Sequence, residues 1–265
     1  MDEVRLGIGG LCTSILTRDP EVSSLVRDRY KGFLSAEIPD WRIEISARRA
    51  GRFSLEGDVE VRRDGGPGLF SVKRANFAGT VDLTKCSGSV ALADPNEFSV
   101  DSFLRIVYSL ALVEARGLVV HAASLVRNGK AYLFCGPSGS GKTTVARLSP
   151  DAILLSDELS IVRISGAGAS CYGTPFWGEL ARGGEHRAAP LVGIYFLHKG
   201  DRHAVEAIRP RRALERLLPN VLFFAREAEL TAKVLGISGD LVEAVPCFDF
   251  SFRPDPGFWE VIEDA

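Results

Sequence analysis

Short apolar runs, alternating or continuous, recur through the first hundred residues at 6–16, 41–46, 59–62, 69–72, 80–83 and 89–92. Each has the length and β-branched content of a strand, and turn clusters such as Arg63-Asp64-Gly65-Gly66-Pro67-Gly68 separate them. One stretch changes period: Val22, Leu25, Tyr30 and Phe33 recur at helical spacing and predict a helix over 21–34. A second helix is predicted over 100–116, with Ser99 as N-cap and Gly117 as its stop. Its apolar face is broad: Phe103, Ile106, Val107, Leu110, Leu112 and Val113. Strands follow at 118–125 and 131–135, and Asn128-Gly129 between them predicts a tight antiparallel hairpin. The remainder reads as a strand at 152–156, a hairpin of 159–164 with 169–172, a strand at 191–197, a helix at 221–235 stopped by Gly236, a strand at 245–252 and a short helix at 258–262.

Composition narrows the class. The chain has 265 residues, 46% of them hydrophobic, enough for a substantial core. Its 32 basic and 34 acidic side chains leave a net charge of -2, which excludes the basic footprint of a nucleic-acid or acidic-membrane binder. The apolar runs at 110–113 and 191–197 fall far short of the roughly 20 residues that span a bilayer. The opening Met1-Asp2-Glu3-Val4-Arg5 lacks the basic-then-apolar layout of an export signal. Cys12, Cys86, Cys135, Cys171 and Cys247 are odd in number and scattered, which predicts reduced thiols, no structural zinc and a cytoplasmic location.

One motif carries chemistry. After Phe134-Cys135 comes Gly136-Pro137-Ser138-Gly139-Ser140-Gly141-Lys142-Thr143-Thr144, a complete GxxxxGK[ST] phosphate loop between a predicted strand and a predicted helix. Its glycines admit torsions closed to other residues, so successive N–H groups can turn around phosphate oxygens. The start of the following helix adds positive potential. Lys142 is expected at the β- and γ-phosphates and the Thr143 hydroxyl at Mg²⁺. The ligand expected is therefore Mg·ATP.

Fifteen positions after Lys142, an apolar strand runs into Asp157-Glu158. An acid at a strand tip is the second half of a Mg·nucleotide site: Asp157 is expected to hold the metal, directly or through water, and Glu158 to take a proton from the attacking group. ABC and AAA+ motors separate their acidic pair from the loop by much more chain, so this spacing argues against a motor. The antiparallel pattern after Glu158 likewise argues against GTPase and adenylate-kinase folds, which continue in helix–strand crossovers.

Three segments, HAASLVRNGKAYLFCGPSGSGKTT, LLSDE and FRPDPGFWEVIE, resemble the catalytic domain of HPr kinase/phosphorylase and, more distantly, the ATP-dependent phosphoenolpyruvate carboxykinases. The resemblance implies a catalytic part for His121, twenty-one positions before Lys142, which from its own surroundings reads as an ordinary strand histidine. It implies a second metal-ligating glutamate, for which Glu185 fits by position and Glu179 is the rival. This chain departs from the family in having Asp157-Glu158 where the family has paired aspartates, and in lacking a counterpart to the loop that contacts HPr. Arg209, Arg211 and Arg212 either serve phosphate charge or decorate a helix face, and the second reading is preferred. Phe176 and Trp177, set between Gly173 and Gly178, suggest a substrate-facing turn or core filling. His186, His198 and His203 lack partners at ligand spacing and read as surface or loop residues.

Pattern and motif together predict an α/β (α+β) chain: a β-rich module at 1–95, then an HPr kinase-like phosphate-loop domain at 96–265 with a mixed, largely antiparallel sheet. The expected activity is ATP- and Mg²⁺-dependent transfer of phosphate to a serine or other alcohol hydroxyl of a protein, peptide or small molecule. The alternative is a nucleotide-binding sensor or assembly module with weak or no hydrolysis. No nucleic-acid or membrane partner is expected, and a homo-oligomer is left open.

Overall fold

A computed structural model describes residues 1–48, 58–166 and 168–263. Contacts divide the chain into two compact units, Met1–Glu114 with Phe223–Ala232, and Ala115–Leu222 with Lys233–Ala265.

The first unit opens with strands β1 (Asp2–Ile8) and β2 (Leu11–Thr17). The apolar run at 6–16, expected as one strand, is split by Gly9-Gly10, both at positive φ, into a hairpin with Ile8 opposite Leu11. Helix α1 (Pro20–Arg29) then crosses to β3 (Trp41–Ala47), which lies parallel to β2. Asp19 caps α1 by accepting from the N–H groups of Glu21 and Val22, with Pro20 in the first turn. The helix is shorter than predicted: it ends at Arg29, and Lys31–Phe33 tightens into a 3₁₀ turn around Gly32. β4 (Glu60–Arg63), β5 (Leu69–Arg74), β6 (Phe77–Asp82) and β7 (Ser87–Leu92) form an antiparallel meander, and β7 joins β3 in parallel. The sheet order is β1-β2-β3-β7-β6-β5-β4.

Helix α2 (Glu97–Glu114) belongs to this unit by contact, although the sequence boundary at 95/96 set it with the phosphate loop. Tyr108 meets Thr13 through a 2.8 Å hydroxyl pair, and Asp101 accepts from Arg29 and Tyr30. The helix starts earlier than predicted because Asn96 takes the capping place expected of Ser99, its Oδ1 accepting from the Ser99 N–H. It ends earlier because Arg116, at φ +52°, turns the chain before Gly117 opens the next strand.

The second unit contains β8 (Gly117–Arg127), β9 (Lys130–Cys135), α3 (Lys142–Arg147), β10 (Ile153–Ser156), β11 (Leu159–Ser165), β12 (Gly168–Tyr172), β13 (Ala188–Lys199), β14 (Ala204–Ala207), α4 (Pro210–Leu217), β15 (Cys247–Phe252) and α6 (Phe258–Glu263). Helix α5 (Ala228–Ala244) starts in the first grouping and ends in the second. β8 and β9 form the predicted hairpin, with Arg127 opposite Lys130 and both Asn128 and Gly129 at positive φ. Asn128→Ala is expected to lower stability by about 1 kcal/mol, because alanine tolerates the left-handed region less well than asparagine; a denaturant midpoint shift measures it. Of the turn joining β11 and β12, Ala167 lies outside the described residues.

Strand pairing gives the mixed, largely antiparallel sheet that the sequence predicts. Among the described residues of this unit only β9–β13 and β13–β15 are parallel, and the pairings β8–β11–β12–β13–β9–β8 close a circuit. An aromatic cluster of Tyr132, Phe134, Tyr195, Phe248, Phe250, Phe252, Phe258 and Trp259 fills one side and packs Val145 and Ala146 of α3. The helix predicted at 221–235 is displaced: Glu227 accepts from the Leu230 N–H at the start of α5, and the helix runs through Gly236 to Ala244. Buried Leu230, Val234, Ile237 and Leu241 outweigh the roughly 1 kcal/mol that a helical glycine costs. Residues 221–222 are instead extended and bond to Val119 and Val120 of β8. No helix among the described residues is long and apolar enough to cross a membrane.

Candidate functional site

The phosphate loop leaves the C-terminal end of β9, a strand held between β8 and β13. Gly139 and Gly141 take φ of +77° and +110°, so the backbone turns as the motif requires. Two positions are also tight. A Cβ on Gly136 would come within 2.5 Å of Ser140 Oγ, and one on Gly141 within 2.6 Å of the Phe252 ring. Lys142 is 7% exposed, and its ammonium donates to the carbonyls of Gly136 at 2.9 Å and Pro137 at 3.2 Å, curling the loop onto itself. Burial lowers the Lys142 pKa, and the negative charges of Glu158 and Glu179 oppose that shift.

The two acids sit at a corner. β10 and β11 both pair antiparallel with β8, at Ser124–Val126 and at Gly117–His121, and the chain bends between them at Asp157-Glu158. His121 lies opposite Leu159, and its Nε2 comes within 3.6 Å of Glu158 Oε2. The Ala122 N–H donates to the Glu158 carbonyl, and the Glu158 N–H donates to Ser156 Oγ. Asp157 is 2% exposed, with both carboxylate oxygens engaged: Oδ1 accepts from the Gly178 N–H at 2.9 Å and Oδ2 from the Leu180 N–H at 2.8 Å.

The strand register brings His121 beside Glu158, whose charge acts on Lys142, while Glu185 has another partner. Its side chain is exposed and ion-paired with Arg187 at 3.2 Å. Of the two glutamates weighed as metal ligands, Glu179 is the one whose charge contributes, after that of Glu158, to raising the Lys142 pKa. Arg212 is more than a face decoration: with His198 it grips Asp249, at 2.5 and 3.1 Å, whereas Arg211 pairs along α4 with Glu215. His198 and His203 are also not unpartnered, since His203 Nε2 meets Asp255 at 2.9 Å and its ring lies against Phe258. Phe176 is core filling, only 1% exposed. Gly178, Leu180 and Phe252 escaped sequence reasoning because their contributions are backbone amides and packing; the glycines at 173, 178, 183 and 184 were the one available signal.

The residues present fit a nucleotide phosphate. Ser140 Oγ is buried without a hydrogen-bond partner beside Gly136, and the space around Gly139 is open to at least 4 Å from a Cβ position. Thr143 is half-buried at the first turn of α3, where its hydroxyl would join phosphate oxygens around Mg²⁺. Among the described residues no cluster of three or more His, Cys, Asp or Glu side chains is arranged for a metal. The expected arrangement, with one hydroxyl and one carboxylate alongside phosphate oxygens, does not call for such a cluster.

A family model described as ScmC, SynChlorMet cassette protein ScmC, matches residues 90–265. No curated protein matches the sequence. Among solved structures, the HPr(Ser) kinase/phosphatase from Coxiella burnetii aligns over 55% of this chain and 94% of its own, at 13% identity and a TM-score of 0.33. A TM-score that low supports no inference about activity.

Proposed function

This chain belongs to the ScmC family of SynChlorMet cassette proteins, and from that premise we propose that it is an ATP- and Mg²⁺-dependent phosphotransferase acting on a hydroxyl of a protein, peptide or small molecule. The family description names no chemistry, so the reading rests on the site. One observation carries it: β8 brings His121 between the strand that ends in the phosphate loop and the strand that begins after Glu158.

In this reading the loop amides of 136–141 and Lys142 hold the phosphates, and the Ser140 hydroxyl donates to the same oxygens. Mg²⁺, when bound, neutralises charge on the β- and γ-phosphates. Thr143 and the remaining lone pairs of Asp157 would be its protein ligands; Glu185, the second glutamate that the resemblance implies, is paired with Arg187. The acceptor oxygen attacks the γ-phosphorus, the bond to the β–γ bridging oxygen breaks, ADP leaves, and the proton passes to Glu158. His121, 3.6 Å from that carboxylate, orients it and balances its charge.

Incubation with γ-labelled ATP and candidate proteins, peptides and alcohols tests the reading. Labelled product supports transfer, whereas tight nucleotide binding without product supports a sensor or assembly module. Glu158→Gln is expected to keep nucleotide affinity and to slow transfer by about 10²- to 10⁴-fold, the usual range for a lost general base. Full activity in that variant would remove Glu158 from the mechanism.

A further inference from the structure

Residues 173–184, between β12 and β13, form a segment that neither the phosphate loop nor the acids explain. Its base is pinned to the free edge of β10: the Thr174 N–H donates to the Leu155 carbonyl at 3.0 Å, the Gly184 N–H to Thr174 at 2.9 Å, and the Glu185 N–H to Leu154 at 2.8 Å. The approach is close enough that a Cβ on Gly184 would fall 1.7 Å from the Leu155 oxygen. Farther along, Phe176 is buried and the amides of Gly178 and Leu180 both donate to the Asp157 carboxylate. At that point the backbone presses on Glu158: a Cβ on Gly178 would lie 2.7 Å from Glu158 Oε2 and 3.1 Å from its Cβ.

We infer that Asp157 is a positioning residue that anchors segment 173–184, and that the anchored backbone at Gly178 sets the position of the Glu158 carboxylate. The catalytic consequence rests on the proposal that Glu158 accepts the acceptor's proton; the anchoring itself does not. A buried carboxylate accepting two amides forms short, charge-assisted bonds, so its geometry is well defined. Its neighbour Glu158 has a flexible stem, and a wall of backbone on one side removes part of that freedom. Gly178 is not at positive φ, so alanine fits its torsions, and the added methyl acts on the Glu158 carboxylate rather than on the main chain.

Two variants test the inference. Asp157→Asn keeps the shape but turns an NH₂ group toward one of the two amide donors. Measured without nucleotide or Mg²⁺, it should speed hydrogen exchange within 173–184 by roughly 10- to 100-fold. A collapse of Mg²⁺-dependent affinity with exchange unchanged would make Asp157 a metal ligand only and overturn the anchor. Gly178→Ala should leave melting temperature and nucleotide affinity unchanged, move the His121 ring-proton shifts, and lower transfer kcat by about tenfold or more. Unmoved His121 signals would sink the positioning claim. If exchange and ring shifts respond as expected but the wild-type protein transfers phosphate to no acceptor, the anchor stands and the phosphotransferase reading falls.

Discussion

Lys142→Ala is expected to abolish measurable nucleotide binding in a calorimetric titration and to cut any phosphate transfer by at least about 10²- to 10³-fold. The ammonium is the one fixed cation of the loop, already buried and held by the carbonyls of Gly136 and Pro137. With nucleotide present it would exchange those carbonyls for phosphate oxygens, a stronger pairing in a site of reduced water access. Folding should survive, because the variant loses two hydrogen bonds but also the desolvation of a buried charge. The pH dependence has a definite sign. Burial lowers the folded-state pKa of Lys142 below its ordinary value. Between the folded and unfolded pKa values the unfolded chain therefore holds the extra proton, and this group's contribution to stability rises with pH. Nucleotide affinity should move the opposite way, declining as alkaline pH deprotonates Lys142 earlier than a free lysine. An alkaline limb of unchanged affinity in the wild-type protein would mean that Lys142 does not bind phosphate through its charge.

Trp259→Ala should cost about 3–5 kcal/mol, the range for deleting a large buried aromatic. The indole packs edge-on against Tyr132 and Phe134 at centroid distances of 5.1 and 6.0 Å, and Arg127 lies over its ring at 4.9 Å. Its Nε1 donates to Ser149 Oγ at 2.9 Å, just beyond the end of α3. Removing it opens a void between α6 and the sheet and unseats the helix that follows the phosphate loop. Nucleotide affinity should therefore fall along with the melting temperature. Ser149→Ala separates the two contributions: it removes the indole's acceptor without a cavity, and should cost about 1 kcal/mol. Equal losses for the two variants would mean that the hydrogen bond, not the packing, seats α6.

What was legible in the sequence follows from how local each signal is. The β8–β9 hairpin was readable because Asn128-Gly129 carries its own conformational preference. The same rule applied to Gly9-Gly10 would have divided the first apolar run. Helix ends were less legible. Asn96 rather than Ser99 caps α2, and α5 starts after Glu227 because tertiary burial of its apolar face outweighs the glycine at 236. For the site, loop and acid corner were visible as contiguous motifs, but the partners of the acids were not. Asp157 bonds to residues more than twenty positions away, and Glu185 is taken by Arg187.

By itself the sequence determined where the GxxxxGK[ST] loop and the Asp157-Glu158 pair fall, the tight hairpin and the mixed α+β class. Each depends on residue types within a few positions of one another, where backbone torsion and spacing leave little choice. Only the tertiary structure decided that His121 faces Glu158, that Asp157 is held by Gly178 and Leu180, that Glu185 pairs with Arg187, and that α2 packs with the front sheet. Those pairings depend on strand register and on loops returning from far along the chain, and hydrophobic pattern constrains which face is buried, not which distant side chain arrives there.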